Sequence, residues 1–220
     1  MKRILLSAVI ILIGLGFLQN SVTRAQAFEG SNQLSPELDS FLQELENLNR
    51  TQGMLNVPRT DGIFLRMMAE LIEAKNALEI GTSNGYSSIW IGLGLKTTGG
   101  KLTTLEIEPE KVKMARENFE KAGLNDRITV IEGDALRTLP KLKGTFDYVF
   151  IDAWKPDYYK YFTMVFPKLN KGGVIIAHNA ISSSRAMEKY LDTVKNHSDL
   201  ETVIISTTNR DGMAVSYKRR

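Results

Sequence analysis

The residues best suited to chemistry in this sequence surround a short segment that contains two glycines. Glu79 lies inside the apolar run 77–80, and Gly81 and Gly85 follow it with the spacing G-x-x-x-G. Glycines allow a backbone to turn tightly and to approach a ligand closely. The segment lacks the G-x-G-x-x-G spacing of a dinucleotide turn and the Lys-Ser/Thr pair of a triphosphate-binding loop. We therefore expect a nucleoside ligand without an essential phosphate.

Two acids near this turn indicate which ligand would fit. Glu79 is expected within a buried strand, where a carboxylate needs a cationic or hydrogen-bonding partner. Glu106 lies in the run 103–108, where doubly wound folds present a carboxylate to ribose hydroxyls. S-adenosylmethionine is a nucleoside with a positive amino group and no phosphate, so it suits both acids. A turn that binds no ligand is the alternative, and the second acid disfavours it.

Apolar runs and amphipathic segments alternate along the chain. Strands are predicted at 77–80, 103–108, 127–131, 146–152, 174–178, 201–206 and 213–217. Helices are predicted at 36–47, 60–75, 86–95, 109–122, 158–169 and 183–196. This order predicts an α/β, Rossmann-like doubly wound sheet of seven mostly parallel strands, with helices on both faces and the last strand antiparallel. Ligands of such sheets bind at the carboxyl ends of the strands.

Local signals refine three of these helices. Ser35 and Pro36 predict the cap and first position of the first helix. One of residues 182–184 is expected to cap the helix at 183–196. The helix at 60–75 is expected to bury an apolar face made of Phe64, Leu65, Met67, Met68, Leu71 and Ile72.

Short motifs follow the predicted strands in a specific order. They are L-E-I-G-T at 78–82, G-Y-S-S at 85–88, T-L-E-I at 104–107, G-D-A at 133–135, F-I-D-A-W-K at 150–155, G-G-V at 172–174 with Asn179, and D-G at 211–212. Over residues 57–218 the chain resembles the class I, S-adenosylmethionine-dependent O-methyltransferases of the caffeoyl-CoA and catechol type. The resemblance implies in-line transfer of a methyl group to a hydroxyl of a small catechol-like or hydroxycinnamoyl-like acceptor.

The resemblance also implies which residues bind S-adenosylmethionine. The methionine end and the turn would be formed by Glu79, Gly81, Thr82, Gly85 and Ser87. Glu106 would hold the ribose diol, and Asp134 and Ala135 would flank the adenine. Asp152 and Trp154 would lie beside the sulfonium.

Methyl transfer needs a nucleophilic oxygen, and a free phenol has a pKa of about 10. A divalent metal that chelates two adjacent hydroxyls would lower that pKa, and a nearby ammonium would favour the phenolate further. The resemblance implies catalytic roles for Lys155 and Asp152, and His178 is a further catalytic candidate because its pKa suits neutral pH. The resemblance also implies a metal site formed by Asp152, the residue at position 178, and Asn179.

His178 departs from the family pattern, which has Asp before the Asn at this point. Magnesium and calcium prefer oxygen ligands, whereas imidazole suits softer ions such as zinc. Three interpretations follow: His178 ligates a softer metal, it acts as a general base without metal, or the metal site is lost. A histidine that only caps the strand end by hydrogen bonding is the structural alternative. The divalent metal and its identity therefore stay open.

The first residues have the layout of an export signal. Lys2 and Arg3 precede the uncharged apolar run 4–18, and Ala25-Gln26-Ala27 follows as a small-x-small pattern. We expect residues 1–27 to be a signal peptide or N-terminal anchor, 28–34 a linker, and 35–220 the methyltransferase domain. The protein would then be exported to a periplasmic or extracellular space, or held at a membrane through that segment alone.

The charge balance and the lack of cysteine limit the kinds of partner and chemistry that the chain can have. Without the three bases of residues 1–27, the chain has 25 basic and 25 acidic residues, so its charge does not favour nucleic acid. With no cysteine, it has no disulfide, thiolate metal site or cysteine nucleophile. The expected partner is a small hydroxylated molecule, an aromatic diol by resemblance, and the resemblance implies a homodimer.

Two other functions compete with the methyltransferase. An exported protein of the same fold that binds S-adenosylmethionine with lost or altered turnover would also explain the export signal and His178. An NAD-type oxidoreductase is disfavoured by the glycine spacing and by the lack of a second substrate domain.

Overall fold

The computed structural model describes residues 34–52, 54–206, 208 and 211–220. The chain divides into two compact units, residues 1–41 and 42–220. The described part of the first unit holds the start of helix α1 (Pro36–Gln52), where the Leu38 N–H donates to Ser35 Oγ at 3.3 Å. The cap predicted at Ser35 is confirmed.

The predicted signal or anchor, residues 1–27, lies outside the described residues.

The second unit is built on a seven-stranded sheet whose strand order is β3-β2-β1-β4-β5-β7-β6. Its strands are β1 (Asn76–Ile80), β2 (Lys101–Glu106), β3 (Ile128–Glu132), β4 (Phe146–Ile151), β5 (Leu169–Ala177), β6 (Leu200–Ser206) and β7 (Gly212–Lys218). Strands β1 to β5 pair in parallel, and β7 pairs antiparallel with both β5 and β6. The predicted fold class is confirmed.

Further α-helices precede or connect the strands, and the sequence predicts all but the shortest of them. They are α2 (Arg59–Leu71), α3 (Tyr86–Thr98), α4 (Pro109–Lys121), α5 (Ala135–Thr138), α6 (Tyr158–Val165) and α7 (Glu188–Asn196). Strands β1 and β4 are almost wholly buried, as expected of the centre of a covered parallel sheet. Among the described residues, no helix is long and apolar enough to span a membrane.

The strand order reverses between β1 and β4, and this reversal positions the site. From β1 the chain moves outward through β2 to β3, then returns to place β4 on the other side of β1. The loops that leave β1 and β4 therefore diverge and leave a crevice at the carboxyl ends of the strands. The crevice is where the sequence predicts a ligand.

Two helix predictions are corrected. The predicted helix 183–196 begins at Glu188, and residues 180–187 form turns, because Asp211 binds both the N–H and the hydroxyl of Ser182. No serine at 182–184 is therefore the cap of α7. The apolar face predicted for α2 is wrong at Met67 and Leu71, which are 58% and 77% exposed. The buried face of α2 contains Leu65, as predicted, and also Ala69.

Candidate active site

A cavity of about 940 Å³ opens at the carboxyl ends of the parallel strands. The volume lies at the upper end of the range for small-molecule sites, which is about 300–1,000 Å³. Most of the predicted site residues line it: Gly81, Thr82, Ser87, Glu106, Asp134, Ala135, Asp152, Trp154, Lys155, His178 and Asn179. Glu79 and Gly85 do not line it. The structure thus brings together residues that the chain separates by up to about a hundred positions.

The turn after β1 needs its glycines for two different reasons. Gly81 has a φ of +100°, and a Cβ at this position would lie 2.2 Å from the carbonyl oxygen of Asp152. Gly85 has a φ of +87° and caps α3, and a Cβ there would lie 2.5 Å from the Phe119 ring. The first glycine therefore lets the β1 loop touch the end of β4. The absence of a side chain at Gly85 lets the start of α3 pack closely against Phe119 of α4.

Glu79 lies behind the cavity wall and is fully buried. Its Oε1 accepts a hydrogen bond from Ser87 at 2.6 Å, and its Oε2 accepts from Ser88 and from Thr104, the latter at 2.6 Å. Burial raises the pKa of Glu79 to about 7, although the three hydroxyl donors act to lower it. Glu79 therefore meets three hydroxyls and does not line the cavity, and its predicted contact with the cofactor stays a prediction. The hydrogen bonds of Glu79 fix the start of α3, including the cavity residue Ser87.

Glu106 faces the cavity from the end of β2. Its Oε2 accepts the Ser83 N–H at 2.7 Å, and its Oε1 accepts the N–H groups of Ile107 and Glu108 at 2.9 and 3.0 Å. These three backbone donors hold the carboxylate in one orientation. A fixed carboxylate with remaining lone pairs is suited to accept hydrogen bonds from a vicinal diol.

Asp134 follows β3 and begins the short helix α5. Its Oδ1 accepts the Leu136 N–H at 2.8 Å, so the side chain acts as a helix cap. Asp134 and Ala135 lie on the same side of the cavity as Glu106, because β2 and β3 are neighbours in the sheet. The cavity therefore continues from the crevice between β1 and β4 toward the outer strands.

The opposite side of the cavity contains a row of ionisable side chains. Lys155 Nζ lies 2.8 Å from Asp152 Oδ1, and Asp152 Oδ2 lies 3.4 Å from His178 Nδ1. His178 Nε2 lies 2.8 Å from Oδ2 of Asp61, which α2 supplies and which is 1% exposed. Acidic and basic groups therefore alternate through four residues.

The alternation of acids and bases determines the protonation states of His178 and Asp152. Burial would lower the pKa of His178, but hydrogen bonds and the charges of Asp152 and Asp61 outweigh it and raise the pKa to about 10. Burial would raise the pKa of Asp152, but His178 and Lys155 hold it below its ordinary value. At neutral pH the pair is an imidazolium beside a carboxylate.

Asn179 has a φ of +60°, which turns the chain directly after His178. Its Nδ2 donates to Asp211 Oδ2 at 2.5 Å. Asp211 also accepts hydrogen bonds from Ser182 and from the Gly212 N–H, and these lower its pKa to about 2 although burial opposes them. Asp211, known from the sequence only as part of a short motif, thus holds the loop that carries Asn179.

The residues implied as metal ligands do not fit a hard divalent ion. Magnesium and calcium require several oxygen ligands that are not already paired with other side chains. Here Asp152 is paired with Lys155 and His178, and the Nε2 of His178 is paired with Asp61. Asn179 donates its amide N–H to Asp211, which leaves the Asn179 Oδ1 as the oxygen that could still face an ion. Within the described ranges, no group of three His, Cys, Asp or Glu side chains is arranged to hold a metal ion.

Reasoning from the sequence missed Asp61. The signal was present, since Asp61 precedes Leu65 and Ala69 at helical spacing on the buried face of α2. A carboxylate on a buried helix face needs a partner. The sequence could have indicated that need, but not that the partner is His178, which is 117 residues away.

The fold and the cavity define a class of protein, a doubly wound sheet with a ligand-sized cavity at its strand reversal. Comparison with known proteins identifies the family. A family model described as O-methyltransferase matches residues 31–211. A catechol O-methyltransferase of Niastella koreensis is 36% identical over 165 residues, which cover 72% of this chain and 74% of that protein.

Two further relatives agree. A catechol O-methyltransferase of Mycobacterium tuberculosis is 35% identical over 178 residues, covering 74% of this chain and 80% of that one. The crystal structure of an O-methyltransferase from Bacillus cereus, in complex with SAH, superposes with a TM-score of 0.75 at 30% identity, covering 84% of this chain and 93% of that one. The chain belongs to the class I, S-adenosylmethionine-dependent O-methyltransferases of the catechol and caffeoyl-CoA type.

Proposed function

We propose that this protein transfers a methyl group from S-adenosylmethionine to a hydroxyl of a small, catechol-like aromatic acceptor. The observation that carries the proposal is that Glu106 and Lys155 face one cavity from opposite sides of the strand reversal. One group suits a ribose diol and the other suits a developing phenolate. The catechol O-methyltransferases among the relatives support the acceptor class.

The cofactor half of the cavity would be formed by the loops after β1, β2 and β3. Glu106 would hold the ribose diol chiefly through Oε2, which receives one of the three backbone N–H groups that fix the carboxylate, whereas Oε1 receives two. Asp134 and Ala135 would flank the adenine at the β3 end, and the turn at Gly81, Thr82 and Ser87 would receive the methionine end. Glu79 would act on this half only by holding Ser87.

The acceptor half has an apolar rim. Leu55 is 88% exposed and Trp154 is 69% exposed, yet both line the cavity. A large exposed apolar side chain at a cavity mouth is typical of a binding surface for an apolar ligand. A flat aromatic ring would stack against Trp154 with its hydroxyls directed inward to Lys155.

S-adenosylmethionine would supply an electrophilic methyl group on a positively charged sulfur. The bond between the acceptor oxygen and the methyl carbon would form as the carbon–sulfur bond breaks, S-adenosylhomocysteine would leave, and the hydroxyl proton would pass to solvent. The protein must therefore align the acceptor oxygen with the methyl group and favour the oxygen's ionised form. The Lys155 ammonium, held by Asp152 at 2.8 Å, would stabilise the phenolate electrostatically. Trp154 would exclude water from the same region.

Isotope-labelled methyl transfer tests the proposal. The full chain would be incubated with S-adenosylmethionine that carries a deuterated methyl group and with a panel of catechol, caffeic acid and matched monophenols. We expect labelled methyl ether from the diols, detected by mass spectrometry. Cofactor binding without transfer to any hydroxyl in the panel would support a binding protein instead and would contradict the proposed reaction.

Export is proposed from the sequence of residues 1–27 alone. Fractionation of cells that produce the native protein, with N-terminal sequencing of the product, is the test. We expect the protein outside the cytoplasm or in the membrane fraction. A cytoplasmic product that retains Met1 would contradict this proposal.

A homodimer is proposed from the family and from α2. Ile63, Met67 and Leu71 are exposed and lie four residues apart, so they form one apolar stripe on that helix. Analytical ultracentrifugation should give a dimer for the wild type and a monomer for Met67→Glu. A monomeric wild type at micromolar concentration would contradict the proposal.

A further inference from the structure

The row Asp61, His178, Asp152 and Lys155 differs from an open metal site in one respect: each facing pair joins an acid to a base. Nitrogen–oxygen distances along it are 2.8, 3.4 and 2.8 Å. Asp61 and His178 are buried, and Asp152 is largely so. Three members line the cavity, and Asp61 supports them from behind.

This geometry disfavours a hard divalent cation for two reasons. First, the oxygens of Asp152 already face the Lys155 ammonium and the His178 ring, so a cation would have to displace one of them. Second, position 178 offers a ring nitrogen where magnesium or calcium requires an oxygen. A divalent ion beside Asp152 would also repel the ammonium that is 2.8 Å from the same carboxylate.

Asp61 is what allows a histidine to occupy this position. A buried carboxylate is stable only with a partner, and the His178 Nε2 at 2.8 Å is that partner. The pairing also fixes the ring plane, so that Nδ1 faces Asp152. An aspartate at position 178 would instead face Asp61 as a like charge. The two residues are therefore complementary to each other.

We infer that this protein, given the proposed methyl transfer, activates its acceptor without a divalent cation. The His178 ring is oriented by Asp61 and contacts Asp152, where the resemblance implies a metal. Asp152 in turn orients Lys155 toward the cavity. Asp61 is a positioning residue, since it touches His178 and does not line the cavity.

Direct metal measurements test the inference independently of turnover. The full chain would be treated with EDTA, desalted, and titrated calorimetrically with magnesium, manganese and zinc, and its metal content measured by mass spectrometry. We expect no stoichiometric uptake, and methyl transfer in EDTA that changes less than about twofold. Uptake of about one equivalent of any of these ions, or transfer lost in EDTA and restored by metal, would overturn the inference. Zinc uptake would specifically mean that the His178 Nδ1 gives up its contact with Asp152 to become a ligand.

A gain-of-function variant gives the converse test. His178→Asp places three carboxylates together at positions 61, 152 and 178, so we expect it to take up manganese, whereas His197→Asp, outside the cavity, should not. The stoichiometry of S-adenosylhomocysteine binding would count folded sites in both. A folded His178→Asp protein that takes up no cation would contradict the role assigned to His178.

Asp61→Asn tests the positioning role. We expect kcat to fall on the order of 10- to 100-fold, as for a misplaced catalytic group, with unchanged affinity and stoichiometry for S-adenosylhomocysteine. Asp61→Glu should recover part of kcat. An unchanged kcat in Asp61→Asn would overturn the positioning role. If S-adenosylhomocysteine did not bind even the wild type, the proposed function would fail, while the metal titrations would still decide this inference.

Discussion

His178 Nε2 lies 2.8 Å from Asp61 Oδ2, although 117 residues separate them in the chain. Helix α2 brings the carboxylate to the end of β5, where the ring also faces Asp152. The contact joins the outer helix layer to the candidate catalytic residues. It gives this chain a paired histidine at the position where the family resemblance implies an acid.

Glu106→Gln should weaken S-adenosylhomocysteine binding by about 10- to 100-fold, because hydrogen bonds to a charged group contribute about 1.5–3 kcal/mol. Glu132→Gln is the matched control, since Glu132 is the register partner of Glu106 on β3, is exposed and does not line the cavity. Calorimetry on both variants gives the comparison. Equal affinities would remove Glu106 from the cofactor site.

Lys155→Met should lower kcat on the order of 100-fold, as expected when a group that assists proton loss is removed, with cofactor affinity retained. Lys160→Met is the control: Lys160 pairs with Asp157 at the same i,i+3 spacing, but it is exposed and outside the cavity. Steady-state rates with a catechol would separate the two. Similar losses in both variants would contradict a role for the Lys155 ammonium.

Glu79→Gln should change how stability depends on pH. Because burial raises the pKa of Glu79 from 4.5 to about 7, the folded protein holds a proton that the unfolded chain loses in that interval. The free energy of unfolding should therefore fall between about pH 4.5 and 7 in the wild type relative to the variant, by about 3 kcal/mol. Urea unfolding across this range measures the difference. Parallel curves for the two proteins would mean that Glu79 is not protonated on folding.

Gly81→Ala should destabilise the protein by about 3 kcal/mol or more, because it combines a positive φ with a Cβ 2.2 Å from the Asp152 carbonyl oxygen. Gly123→Ala isolates the first effect: its φ is +65°, and beyond its two chain neighbours nothing lies within 4 Å of the added Cβ. That control should cost only about 1–2 kcal/mol. Thermal or urea unfolding should rank the two. Equal losses would show that the loop after β1 can move away from β4.

The sheet was predictable because apolar runs and amphipathic segments alternate with little ambiguity. Glu106, Asp152, Lys155 and Asn179 could be placed at one edge, since parallel strands end on the same side. The position of Glu79 was not predictable: whether a strand acid faces ligand or hydroxyls depends on α3, whose Ser87 and Ser88 receive it.

The errors in the two corrected helices have equally local causes. Hydrophobic periodicity assigned Met67 and Leu71 to the core of α2, but the helix carries a second apolar stripe on its exposed side. The late start of α7 depends on Asp211, which binds Ser182 from 29 residues further along the chain. The partner of Asp61 is likewise a tertiary contact that no periodicity reports.

Calorimetric titration of the purified wild-type protein with S-adenosylhomocysteine, and in parallel with NAD, tests the central claim most directly. The account predicts that one S-adenosylhomocysteine binds per chain, because Glu106 is oriented to accept hydrogen bonds from a ribose diol. It predicts no measurable heat with NAD, because the turn at Gly81 offers no phosphate-binding site. Absence of S-adenosylhomocysteine binding, or a preference for NAD, would contradict it.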